Sequence, residues 1–318
     1  MDSSTTDGAR GGQPLNDIPA RQNTIHALTI LAAARAFFDR AMYVATAEVL
    51  LSVGIPVLLT VLTVFLEQFS LTAALYGLIL AIIEPVVFDR VRRTLQAKGA
   101  RLQEQFDCDV MALPGHDSLT GRLPDQEDTR EAARAFNHTD GAGAGLRDWY
   151  PPAVGMIPLS VARIICQRTN CRWDAIARAR YLRIIAGAGV LVLALVVLWH
   201  IIENRTTDQL VLALAALSPM IRWLLAEWIR HSESIATNAE LKGRADDLWG
   251  RALQGGMSDE ALTWDSRDLQ DAIYLRRKGD PAVFRWVHKW LKPRLEEQMH
   301  QTAHNMVQEF GLSPPPRP

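Results

Sequence analysis

The chain has 318 residues, 48% of them hydrophobic and 22% charged, and its 34 basic and 35 acidic side chains leave a formal net charge of −1. A mean hydropathy of +0.00 in so charged a protein requires the apolar residues to be gathered into blocks, which excludes a single evenly patterned soluble domain. The balanced charge argues against a binder of DNA or RNA polymers, and three cysteines, Cys108, Cys166 and Cys171, make no even disulfide framework.

Residues 1–46 read as an N-terminal arm. Its first 22 residues are rich in Ser, Thr, Gly and Asp and lack the apolar centre of a signal peptide. Ile25, Leu28, Leu31, Phe37, Phe38 and Val44 then recur at helical spacing, which predicts an amphipathic helix leading into a first span. A bilayer core of about 30 Å needs about 20 mostly apolar helical residues. Four stretches come close: 47–66 with Glu48 at its start, 71–88 with Glu84 near its end, the uncharged 184–202, and 210–229, which must carry Arg222 and Glu227. They pair into two tight hairpins, 47–88 and 184–229.

Basic residues near the span ends set the orientation. Arg90, Arg92, Arg93, Lys98 and Arg101 follow the second span, and Arg163, Arg168, Arg172, Arg178, Arg180 and Arg183 precede the third. The middle segment 89–183, the arm and the tail 230–318 are therefore expected in the cytosol, with both termini on the inner side of a multi-pass membrane protein. In the middle segment an apolar stripe of Val91, Leu95, Leu102, Phe106 and Met111 predicts a helix stopping near Pro114. A short helix is expected over 126–136, and another opens at Pro158 and runs into the third span. The tail reads as an extension of the fourth span to about Leu253, a helix from Asp259 to Arg277 behind a Ser258 cap, and one beginning at Pro281. No strand alternation stands out, so the fold class is all-α, an integral membrane protein with a cytosolic helical domain.

No catalytic set, metal site or cofactor motif emerges. His300 and His304 share a helical face but lack further ligands, and the cysteines read as small packing residues. Gly141, Gly143 and Gly145 have neither a preceding strand nor a following Lys-Ser/Thr pair and read as a connector. Charges inside spans cost about 2.5 to 3.5 kcal/mol each on insertion scales, so Glu84 and Arg222 are candidates for an ion pair or a pore lining, or else snorkel beside Trp223 and Trp228. Ala73, Gly77 and Ala81 form a small-residue stripe suited to close helix packing. The basic run 163–183 serves as topogenic charge and lipid attraction, or as a receptor in which Arg163 and Arg168 grip phosphates while Gln167 or Asn170 reads a base.

The stretch from Leu102 to Pro114 (LQEQFDCDVMALP), Trp149-Tyr150-Pro151, the run from Ala162 to Asn170 (ARIICQRTN) and the piece from Arg267 to Arg277 (RDLQDAIYLRR) together resemble the SMODS-associating four-transmembrane effectors. Arg21-Gln22-Asn23 ahead of the first span is similar too, so the likeness runs through nearly the whole chain. It implies a non-enzymatic, pore-forming effector of bacterial antiphage defence, seated in the bacterial inner membrane. A cyclic oligonucleotide from a neighbouring synthase would trigger it, its subunits would associate in the lipid bilayer as a homo-oligomer, and the infected cell would stop growing. Trp149, Tyr150, Cys166, Gln167, Asn170, Gln270 and Asp271 carry the resemblance as functional or structural determinants. The alternative is a non-conducting membrane scaffold or sensor that recruits a partner protein through its tail.

Overall fold

The computed structural model describes residues 14–65, 70–140 and 145–312, and no strand occurs among them. After a single turn, α1 (Ile18–Arg21), the Thr24 side chain accepts from the Ala27 N–H and caps α2 (Ile25–Val49). This helix passes through a π-helical turn, Leu50–Gly54, into α3 (Ile55–Phe65). Pro56 has no N–H to offer the preceding turn, which explains the widened winding there. The Tyr76 hydroxyl donates to the Leu51 carbonyl at 2.6 Å inside that turn.

The chain returns through α4 (Ser70–Ile83), makes a second π-helical turn at Glu84–Phe88 around Pro85, and continues as α5 (Asp89–Met111). Ala112, left-handed at φ 48°, ends α5 two residues before Pro114. Short α6 (Asp117–Thr120), α7 (Gln126–Asp140) and a 3-10 turn at Pro152–Met156 lead to α8 (Leu159–Ile202). At 44 residues α8 is about 66 Å long, twice the hydrocarbon thickness of a bilayer. A capping box at Thr206 and Gln209 opens α9 (Thr207–Ala216), and α10 (Ser218–Gln254), α11 (Asp259–Gly279) and α12 (Arg285–Leu312) complete the chain.

Among the described residues, two helices are long and apolar enough to cross a membrane, Ile25–Leu62 and Leu159–Ile202. A third follows if α9 and α10, bent by 54° at their junction, count as one broken span. The expected fourth stretch is thus not one straight helix, because Pro219 restarts the winding just after Leu217. The 71–88 stretch forms α4 and its π-helical turn, with Leu75, Ile79 and Val86 exposed, while the expected turn 67–70 lies mostly outside the described residues. Gly77 packs close to Pro219 of α10; the side chains of Ala73 and Ala81 lie outside those described.

The core gathers at the other end of the molecule. Alanines 32, 33, 34, 36 and 41 of α2 are buried, and α5 comes close enough that a Cβ on Gly99 would stand 3.2 Å from the Ala34 carbonyl oxygen. Leu102, Phe106, Met111, Tyr150, Ile164, Ile165, Leu248 and Ile273 complete a core shared by α2, α5, α8, α10 and α11. A smaller cluster joins Ala177 and Tyr181 of α8 to Val287, Leu291 and Leu295 of α12. The last helix starts at Arg285 and not at Pro281, since the carbonyls of Asp280 and Pro281 are taken by Gln96 and Arg178 instead of by a first helical turn.

Candidate functional site

Three layers of buried polar side chains are stacked along α8 between the core and the apolar run that starts at Ile184. The innermost is built on Asp107 of α5. Its carboxylate accepts from the Tyr150 hydroxyl at 2.6 Å, the Gln270 amide at 3.1 Å and the Arg277 guanidinium at 2.9 Å. Asn170 donates to the same Tyr150 oxygen at 3.1 Å, and burial beside Asp107 holds the Tyr150 hydroxyl well above its ordinary pKa, keeping it a donor. Gln270 also donates to Glu104 at 2.7 Å, and Gln167 donates to Gln270 and to the Ser266 carbonyl. Arg267 forks between Glu104 at 2.5 Å and Asp271 at 2.8 Å, with Cys108 and the Pro114 carbonyl on its other nitrogen. Gln22 clamps the Tyr150 backbone, accepting from its N–H at 2.7 Å and donating to its carbonyl at 3.1 Å.

In the middle layer Asp174 and Arg178 of α8 meet Arg276 and Asp280. Arg178 reaches Asp174 at 2.7 Å, Asp280 at 3.1 Å and the Pro281 carbonyl at 2.6 Å, and Ser234 of α10 donates to Asp280 at 2.6 Å. The outer layer sits where the apolar stretches begin. Glu48 of α2, Asp89 and Arg92 of α5, and Glu227, Arg230 and His231 of α10 converge there, with the Tyr181 ring of α8 4.8 Å from His231. Arg92 pairs with Asp89, and Arg230 with Glu227, at close range; both arginines stand 3.9 to 4.0 Å from Glu48. Glu48 is 1% exposed and neither of its oxygens accepts a hydrogen bond. The two π-helical turns flank this layer, one just after Glu48 and one just before Asp89.

The sequence-derived residues fall into these layers unevenly. Tyr150, Gln167, Asn170, Gln270 and Asp271 belong to the innermost layer, and Cys166 is buried beside them. Trp149 lies under the Arg35 guanidinium, 4.7 Å from its ring centre. Arg163 donates to the carbonyls of Met111 and Ala112 at 2.7 and 2.6 Å, closing the C-terminus of α5. Arg168 pairs with Asp246 at 2.5 Å and faces a shallow groove shared with Arg172, Trp173, Ile176, Gln298 and Met299. Arg163, Gln167, Arg168 and Asn170 therefore do not converge on one cavity.

Arg222 is exposed near the start of α10, and the Glu84 side chain lies outside those described. Trp228 is exposed but Trp223 is buried, so only the former faces outward. His304 meets Gln308 at 3.0 Å, and among the described residues no three His, Cys, Asp or Glu side chains gather as a metal would require. Read along the chain, Glu48 is a lone charge at the start of a span and Arg92 a topogenic one, so neither discloses the outer layer they help to form. The spacings Asp89–Arg92 and Glu227–Arg230–His231, at i, i+3 and i+4, were the local signal for it.

A family model described as the SMODS-associating 4TM effector domain matches residues 16–306. A probable CBASS effector molecule of Bacillus cereus (strain VD146) is 21% identical over 304 residues, covering 92% of this chain and 99% of the relative. No solved structure matches.

Proposed function

This chain belongs to the SMODS-associating 4TM effector family, and from that premise we propose that it is a pore-forming membrane effector of CBASS antiphage defence, triggered by a cyclic oligonucleotide. In this reading the two hairpins cross the bacterial inner membrane, the termini and the polar layers face the cytosol, and subunits associate in the bilayer. The supporting observation is the continuity of α8, which carries Gln167 and Asn170 of the innermost layer, Asp174 and Arg178 of the middle one and the apolar run from Ile184 in a single unbroken helix. A displacement imposed at its cytosolic end reaches the bilayer without a hinge to absorb it.

The groove between α8 and α12 is the proposed receiver. Arg168 and Arg172 offer guanidinium forks to phosphates, and Trp173 lines the groove beside them. Arg172 is exposed and has no ion-pair partner among the described residues. A messenger shifts the equilibrium only by binding the conducting state better than the resting one. The outer layer is the element that holds the resting state: its charges link α2, α5 and α10 at the membrane boundary, and Glu48 sits there without a hydrogen bond to lose.

Co-expression with the cognate synthase, followed by entry of a membrane-impermeant dye, tests the reading. Dye entry only with an active synthase is the expected result, abolished by Arg172→Glu at unchanged protein level. Cell arrest without dye entry or depolarisation refutes pore formation.

A further inference from the structure

We propose that the first two turns of α12 are a cytosolic docking face for an anionic bilayer surface, with Trp286 and Trp290 as its anchors. The inference rests on the reading that the bilayer begins near Ile184, and adds a contact made outside the spans. Residues 285–294 read Arg-Trp-Val-His-Lys-Trp-Leu-Lys-Pro-Arg, four permanent cations with no acidic residue before Glu296. The inward face of this segment is spoken for: Val287, Leu291 and Leu295 are buried against Ala177 and Tyr181. Its other side leaves Trp286 52% and Trp290 61% exposed, with Lys289 exposed between them. Large aromatic rings and cations side by side on an open helix face are the composition of an interfacial segment.

The height of the face comes from the packing. Phe284 meets Tyr181 with ring centres 5.7 Å apart, and Ile185, within the third apolar run, packs against the same cluster. Farther along, Gln298 and Met299 line the groove with Arg168 and Arg172, so α12 runs back along α8 away from the membrane. Trp286 and Trp290 are one helical turn apart, about 6 Å along the axis, which matches the depth of a headgroup layer of about 5 to 7 Å. Arg285 pairs with Asp39 at 3.7 Å and Lys292 with Glu296 at 3.5 Å. Lys289, between the two rings, has no ion-pair partner among the described residues and is the charge available to lipid phosphates. A second copy of the chain would have to bring acidic groups to the same place; a leaflet containing phosphatidylglycerol supplies them at the right height.

Site-directed labelling of the full-length protein tests this, because Cys108, Cys166 and Cys171 are all buried and give a low background. Trp290→Cys is reconstituted in nanodiscs of phosphatidylcholine alone or with phosphatidylglycerol, and its reaction with a water-soluble maleimide is timed; Leu312→Cys, at the far end of α12 and 87% exposed, is the reference. Phosphatidylglycerol should slow labelling at 290 about five-fold or more, leave 312 unchanged, and lose its effect in high salt or when Lys289→Glu is added. Equal rates at 290 in the two lipids overturn the proposal. Protection that follows the number of copies per disc and not lipid charge overturns it in favour of a self-association face. Failure of the chain to enter the discs at all refutes the span assignment itself, and the docking face with it.

Discussion

The innermost and outermost polar layers are both buried and both join several helices, yet they are satisfied differently. In the innermost layer three carboxylates, Glu104, Asp107 and Asp271, meet two guanidiniums, Arg267 and Arg277, and His116 at 2.5 to 2.9 Å, and each of their oxygens has a hydrogen-bond partner. Where the apolar runs begin, three carboxylates, Glu48, Asp89 and Glu227, also face two arginines and a histidine, but Glu48 is reached only at 3.9 to 4.0 Å and accepts no hydrogen bond. A buried network whose carboxylate oxygens are all bonded specifies one arrangement, whereas one with a carboxylate left without hydrogen bonds can exchange partners at small cost. The comparison assigns a single arrangement to the innermost layer and spare acceptors to the outer one.

The largest effect is expected on breaking the innermost layer. Arg267→Met strips Glu104, which is 2% exposed, of its close cation, and should cost about 3 to 5 kcal/mol, visible as a collapse of the denaturant midpoint in detergent. A matched pair of glutamates sharpens the contrast. Glu104→Gln disturbs contacts to Arg267, Gln270 and Cys108 and should cost about 2 to 3 kcal/mol, while Glu48→Gln leaves two carboxylates against two arginines and should stay within about 1 kcal/mol. Glu48→Gln should also raise dye entry without the synthase; equal destabilisation by the two substitutions would erase the distinction between the layers.

The smallest effect is a pH dependence. Burial, followed by the Glu104 charge, pushes the Cys108 thiol far above its ordinary value near 9. The unfolded chain therefore loses this proton first as pH rises, so the thiol's contribution is intact below about pH 9 and declines above it, by at most about 1.4 kcal/mol per pH unit. The midpoint difference between wild type and Cys108→Ala, followed from pH 8 to pH 10, should move in that sense.

Much of this was legible in the amino-acid order. Apolar blocks and caps are local, so Ser258 before α11, the stop after Met111 and the run from Ile184 could be read directly. The short motifs at 102–114, 149–151, 162–170 and 267–277 coincide with the innermost layer, although their spacing does not say that Tyr150, Asn170 and Gln270 meet around Asp107. The outer layer was hidden because its pairs are distant in sequence, Arg230 and Asp89 being 141 residues apart, and each charge alone looks like a topology signal. The delayed start of α12 depends on tertiary partners for the Asp280 and Pro281 carbonyls, which helix propensity does not contain.

The most direct measurement is messenger-dependent leak from proteoliposomes carrying α8 intact or interrupted. A Cβ at Gly187 meets nothing within 4 Å, so Gly187→Ala introduces no clash with neighbouring elements, whereas Gly187→Pro removes the N–H that follows Arg183 by one turn and kinks the helix near the start of its apolar run. Gly187→Ala should leak like wild type when messenger is added, and Gly187→Pro should bind messenger but stay sealed. Undiminished messenger-driven leak through Gly187→Pro would contradict transmission along α8.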